Sequence, residues 1–289
     1  MVALFRYAGY ILIFAAVLGV GCSAPTGAAD KDFTKGAKVL LLGDSLLAGH
    51  RGDNRIENVM TKQLKKLYPK AAFEVVNKAR GGMWIGPADA SKARGVSKPL
   101  LGEEGKDWYA RVRKECPEAD AIIIEFSGND GKVYSPEDFG KKLAGLCDKL
   151  AKDYPNAKIF LSTGMYLDPK HSGGYYRRPS MVKGFKQGSN RNEYLAPYYD
   201  EIRALAKKRS YALADVCKRI KAETDAGNWD LRIRAKGGDP KDDDKHKGDM
   251  RWFGDIHPNP RGTEVMADVY VKTLLGKDAL TPFPKKDAK

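Results

Sequence analysis

The apolar residues of the chain fall into short closed runs. Lys38-Val39-Leu40-Leu41-Leu42 ends on Gly43, and Phe73–Val76, Ala121–Phe126 and Lys158–Leu161 are of the same kind. Unbroken apolar runs of strand length, rich in branched residues, read as strands buried on both faces. Between them the spacing changes to the helical period. Ile56, Val59, Met60, Leu64 and Leu67 share a face and stop before Pro69, and helical patterns return over Phe139–Leu150, Tyr198–Lys208 and Thr263–Leu275. One more strand is expected near Tyr211–Val216. Strands alternating with helices predict an α/β fold with a parallel sheet of about five strands. Two stretches break the alternation, 168–194 and 225–252, both polar and glycine-rich. Segments of that length without a periodic pattern usually carry function or are disordered.

The first residues bear on the compartment. Arg6 precedes an uncharged, mostly apolar stretch from Tyr7 to Gly21, followed directly by Cys22. A helix needs about 20 apolar residues to cross a bilayer, so this shorter stretch reads as the core of a signal peptide. Leu18-Gly19-Val20-Gly21-Cys22 resembles a bacterial lipobox, with Gly19 where leucine is usual. The expected organisation is a signal peptide at 1–21, an acylated Cys22 with a polar tether to residue 36, one domain over 37–276, and a basic tail over 277–289. The expected product is an exported, membrane-anchored lipoprotein, periplasmic or at the cell surface. The chain has 51 Lys+Arg against 37 Asp+Glu, and loss of residues 1–21 removes only Arg6. A basic chain can meet nucleic acid, an anionic surface or an acidic polymer. Export removes nucleic acid from these partners. Cys116, Cys147 and Cys217 remain, an odd number without a CxxC or Cys/His cluster, and read as buried thiols with no metal site.

Chemistry concentrates at predicted strand ends. Gly43-Asp44-Ser45-Leu46 follows the first strand, Arg80-Gly81-Gly82 the second, and Gly128-Asn129-Asp130 the third; Asp255-Ile256-His257-Pro258-Asn259 precedes the last helix. In open α/β sheets ligands sit at the carboxyl ends of strands. A serine hydroxyl there needs a base to take its proton and donors to receive an oxyanion, and the other blocks offer both. Asp44 and Asp130 read as turn-holding residues that accept from backbone amides. His50, His171 and His246 have no motif around them. Tyr175-Tyr176-Arg177-Arg178 suits a sugar or anionic group as well as a solvated loop, and Asp242-Asp243-Asp244 reads as a solvated cluster.

At these four blocks the chain resembles the GDSL, or SGNH, hydrolase family over roughly residues 37–276. The resemblance implies a flavodoxin-like αβα sandwich, with Ser45 as nucleophile and its amide as one oxyanion donor. It further implies Asn129 as a side-chain donor, Gly82 (or Gly81) as a backbone donor, and His257 as the general base. The family places an aspartate three residues before the histidine, where this chain has Gly254. Asp255, two before, is the expected acid, and the Gly254 carbonyl is the alternative orienting group. No cofactor or metal is implied. The implied function is an ester hydrolase acting through an acyl-Ser45 intermediate, removing short O-acyl (acetyl) groups from a carbohydrate or cell-wall polymer. The alternatives are a lysophospholipase or thioesterase, or an inactive lipid-anchored glycan-binding protein.

Overall fold

Strand β1 (Gly36–Gly43) is apolar on both faces and lies inside the sheet. The computed structural model describes residues 31–49, 52–86, 98–102, 108–167, 191–226 and 257–276. Within them the chain continues through β2 (Ala72–Asn77), β3 (Met83–Trp84), β4 (Lys98–Pro99), β5 (Ala121–Glu125), β6 (Lys158–Ser162) and β7 (Ala212–Ala214). The main sheet has the order β2-β1-β5-β6-β7, with every neighbouring pair parallel, while β3 and β4 form a small parallel pair apart from it. With that pair left out, the order is the flavodoxin-like 2-1-3-4-5.

Alternation along each strand builds two cores. Leu40, Leu42, Ile122, Ile124 and Leu161 face α3 (Trp108–Glu115), α4 (Pro136–Asp153) and α5 (Arg191–Arg209). Val39, Leu41, Ala121, Ile123 and Phe160 face α2 (Ile56–Leu67), α6 (Val216–Asp225) and α7 (Pro260–Leu274). The result is an αβα sandwich. The order reverses between β1 and β5, because the chain leaves β1 for β2 on one side and returns to β5 on the other. Such a reversal opens a crevice at the carboxyl ends of the two strands. A four-residue helix, α1 (Ser45–Ala48), starts at the end of β1 and borders that crevice.

The expected strands and the four periodic helices are present; α4 and α5 run further at both ends and α7 starts earlier than expected. Ser135 Oγ accepts from the Asp138 amide at 3.1 Å and starts α4 ahead of Phe139, with Pro136 in the first position. Three features depart from the sequence expectation. Helix α5 starts at Arg191, inside the stretch expected as loop, while 168–190 lie outside the described residues. The expected strand ends at Ala214, because Asp215 caps α6 by accepting from the Lys218 amide at 3.0 Å. Helix α3 has only Tyr109 and Val112 buried, too sparse an apolar face to read from spacing. The packed domain also reaches further back than residue 37, since Phe33 is buried against Phe160. Residues 1–30 and 277–289, and with them Cys22, lie outside the described residues. Among the described residues no helix is long and apolar enough to cross a membrane.

Ile123 sits at the centre of β5, 1% exposed. Ile123→Ala leaves a void in the core shared with α2 and α7, and we expect a loss of about 2–5 kcal/mol, read as a lower urea midpoint with an unchanged slope.

Candidate active site

Ser45 is the first residue of α1, and the residue before it is the helix cap. The Asp44 Oδ1 accepts from the Leu46 amide at 2.9 Å, which sets the turn that presents Ser45 at the end of β1. Asn129 approaches from the turn after β5. Its Nδ2 donates to Asp44 Oδ2 at 3.2 Å and to the Met83 carbonyl at 3.1 Å, while its Oδ1 accepts from Lys132 Nζ at 2.7 Å. An ammonium on the amide oxygen polarises the amide and makes its N–H a stronger donor. Asp130 Oδ1 accepts from the Ile85 amide at 2.9 Å, holding the segment after Gly82 against β5. Asp44 and Asp130 thus hold turns through backbone amides, as their positions predicted.

The other two blocks close on the same place. A Cβ built on Gly81 would stand 3.9 Å from Ser45 Cβ, so the second block passes beside the serine. Gly82 has φ +75°, a conformation that favours glycine, and turns the chain into β3. His257 precedes α7, whose cap Asn259 accepts from the Gly262 amide at 2.8 Å with Pro260 following. A Cβ at Gly49 would stand 3.7 Å from His257 Cδ2 and 2.8 Å from the Ser45 carbonyl oxygen. The imidazole therefore lies against the back of the Ser45 turn. Ser45, Gly81, Gly82, Asn129 and His257 converge on one crevice. Gly254 and Asp255 lie outside the described residues, as do His50, His171 and His246.

Electrostatically the site is a buried acid surrounded by cations. Burial raises Asp44 above the ordinary carboxylate value, and the Leu46 amide and the charges of His257, Lys132 and Arg191 pull it back. Asp130 is pushed up to about 7, mainly by burial, with the Asp44 charge adding to the rise and the Ile85 amide opposing it. At the rim beside Gly81, the Arg80 guanidinium lies 4.1 Å and that of Arg111 4.8 Å from the Trp108 ring centroid. Trp108 Nε1 is fixed to the Lys78 carbonyl at 2.9 Å, and Lys78 and Arg111 share Glu115, which they hold down at about 2. Sequence reading missed this stack, in which Arg80 and Trp108 are 28 positions apart, as it missed Lys132. Glu125 was also missed, although a lone charge at the end of an apolar run is a visible signal.

Cys116, Cys147 and Cys217 are free thiols; burial pushes Cys147 up to about 12 and Cys217 up to about 11. Cys217 is only half-buried. Among the described residues no His/Cys/Asp/Glu group could hold a metal. A pocket of about 550 Å³ lies at the other end of the sheet, lined by Phe33, Tyr154, Ile159 and Leu274 among others and by no histidine.

The family profile described as GDSL-like lipase/acylhydrolase matches residues 41–265. The chain belongs to this family. It is a carboxylic ester hydrolase by that membership. Solved structures with the same fold include Axe2, an acetylxylan esterase from Geobacillus stearothermophilus, at 15% identity and TM-score 0.51, covering 84% of this chain and 96% of that one. An acetyl xylan esterase, AlAXEase, matches at 19% identity and TM-score 0.50, covering 81% and 97%. An α/β hydrolase, LAE5, from the metagenome of Lake Arreo, Spain, matches at 16% identity and TM-score 0.51, covering 87% and 97%. A comparison with curated proteins finds no match.

Asp130 generates a prediction with a definite sign. Its folded value of about 7 lies above the ordinary 3.8, so between these values the unfolded chain gives up a proton that the folded chain keeps. Its contribution to stability is full below the ordinary value and is lost as pH rises through about 7. Asp130→Asn keeps an acceptor for the Ile85 amide and cannot ionise. Urea midpoints between pH 4 and pH 8 are expected to fall more steeply in the wild type than in Asp130→Asn; parallel curves refute a raised Asp130.

Proposed function

We propose that the protein is a serine esterase in which Ser45 attacks the ester carbonyl, His257 takes its proton, and Asn129 and the Gly82 amide receive the oxyanion beside the Ser45 amide. The supporting observation is the convergence of three loops and the α7 entry on the β1/β5 crevice, with His257 packed on the Ser45 turn. Attack would form an acyl-Ser45 ester and release the alcohol, protonated by the imidazolium; water activated by the same imidazole would then free the acid. The Lys132 ammonium on Asn129 Oδ1 suits that amide to a developing negative charge. The Gly81 amide, nearer Ser45 in the chain's approach, is the alternative backbone donor.

The proposed substrate is a short O-acyl group, acetyl above all, on a carbohydrate or wall polymer. Two solved structures of the same fold are named as acetyl xylan esterases. The rim formed by Arg80, Trp108 and Arg111 is polar and cationic, better suited to a hydroxylated or acidic polymer than to a long alkyl chain. An export signal with an acylated Cys22 would place the enzyme on a membrane surface, periplasmic or outside, where such polymers occur.

A fluorophosphonate probe on residues 23–289 is expected to label Ser45 and to lose all labelling in Ser45→Ala; labelling that survives refutes the nucleophile. In the same preparation, p-nitrophenyl esters from acetate to long chains report the acyl preference. Fastest turnover on acetate supports this reading, a long-chain preference points to a lysophospholipase or thioesterase, and silence points to an inactive binding protein.

The group that orients His257 is proposed to be Asp255. A carboxylate there fixes the imidazole tautomer and stabilises the imidazolium, and replacing it by Asn in a serine protease costs about 10⁴ in kcat. Asp255→Asn is expected to cut kcat heavily and to lower the acidic limb of the kcat–pH profile, because the imidazolium loses its anion. A loss below about tenfold, or roughly 1.4 kcal/mol of barrier, would assign the role to the Gly254 carbonyl.

A further inference from the structure

Glu125 is fully buried, the last residue of β5, and pairs in register with Gly43 on β1 and Ser162 on β6. It shares the face of Ala121 and Ile123, so its side chain enters the layer beneath α1 and α7. Leu46, Gly164 and Tyr199 close over it. A Cβ at Gly164 would stand 3.2 Å from Glu125 Oε1, 3.0 Å from Leu46 Cδ1 and 2.6 Å from Tyr199 Oη.

The groups around this carboxyl are occupied elsewhere. Tyr199 Oη donates to the Met165 carbonyl at 3.1 Å, and Ser162 Oγ, which lies 3.2 Å from Tyr270 Oη, donates to the Thr163 carbonyl at 2.9 Å. Among the described residues no N–H or O–H reaches either oxygen of Glu125. The charges it faces are negative: Asp44 from the β1–α1 turn, which begins one residue after Gly43, the register partner of Glu125, and Asp130 from the turn after β5. Two ionised carboxylates have no hydrogen to share, and an unpaired buried anion costs far more than a buried acid.

We propose that Glu125 is a positioning residue of the active site, which stays protonated and donates its hydrogen to Asp44, leaving Asp44 with the single negative charge of the pair. The placement of the proton follows from the surroundings. Asp44 has the Leu46 amide and Asn129 as donors and Lys132 and Arg191 as cations, while Glu125 has none of these. Burial and the Asp44 charge both hold Glu125 well above the ordinary carboxylate value. The consequence falls on Asn129. With its charge already engaged by Glu125 and Leu46, Asp44 holds the Asn129 hydrogen less tightly, and an oxyanion can share it. This last step rests on the proposed oxyanion role of Asn129.

Infrared spectroscopy near pH 8 tests the proton directly. The wild type is expected to show the carbonyl stretch of a protonated carboxylic acid, and Glu125→Gln to lack it; absence from the wild type, or persistence in the variant, overturns the proposal. Kinetics on p-nitrophenyl acetate test the positioning. Glu125→Gln keeps a donor and is expected within about threefold of wild-type kcat, whereas Glu125→Leu is expected to lose about tenfold or more in kcat with KM within about twofold. Wild-type kcat in Glu125→Leu, or an equal loss in both variants, overturns it. If Glu125→Leu does not fold, the infrared result and the Gln variant decide. The band is independent of turnover, so a chain that shows the band yet hydrolyses no ester refutes the esterase reading and upholds the shared proton.

Discussion

A carboxylate taken out of water at the end of a strand has to be met by donors, and Asp44, 2% exposed, draws its donors from separate segments. The Leu46 amide belongs to its own turn, and Asn129 belongs to the turn after β5. Asn129 passes the connection on through the Met83 carbonyl to the segment after Gly82, where the Ile85 amide ends on Asp130. One buried charge therefore ties together the three loops that the sheet brings to its switch point. The strands position the loops to within a few ångströms, and the polar network sets the final geometry. Buried networks of this kind are strong when every member is satisfied and costly when one is removed.

That network accumulates like charge. Asp44, Glu125 and Asp130 are all buried, and the Asp44 charge raises both of the others. A fold selected for stability alone would place apolar groups there. Strain and unfavourable burial collect where geometry must be exact for function, and these carboxyls lie beside the turn that presents Ser45. The surrounding cations answer this charge in part: Lys132 and Arg191 both lower Asp44. The basic composition of the chain, +14 overall, reaches into the site as well as the surface.

Much of this was legible in the sequence for identifiable reasons. Apolar runs of strand length mark β1, β5 and β6 because those strands are covered on both faces. The four blocks mark the site because each must follow a particular strand or precede a particular helix, so motif and address check each other. What escaped was carried by contacts between distant residues. Trp108 meets Arg80 only after folding, and Lys132 reaches back to Asn129 only because a turn brings them together. Helices α3 and α6 escaped because each buries few apolar residues, Tyr109 and Val112 in one and Val216 and Ile220 in the other. Asp255 illustrates a different difficulty: a shift of one position between motif and chain changes which group can face the imidazole, and spacing alone does not say which.

Reaction and substrate are recorded in different parts of this molecule. In the proposed reaction, attack on an ester needs a nucleophile, a base and donors for an oxyanion, and the short segments fastened to β1, β2, β5 and α7 are the candidates for all of them. Solved structures sharing only 15–19% identity with this chain keep the same fold. Discrimination between one acyl polymer and another falls on groups further from the reacting carbon, which are free to differ between proteins on one scaffold. In this chain the Arg80–Trp108–Arg111 stack is the candidate for such a group, with Arg80 on the loop that carries Gly81 and Gly82 and the other two residues on α3. Under the proposed function, a substrate held by Arg80 would sit one or two residues of backbone from the candidate donors Gly81 and Gly82, so that recognition and oxyanion geometry would share one short segment.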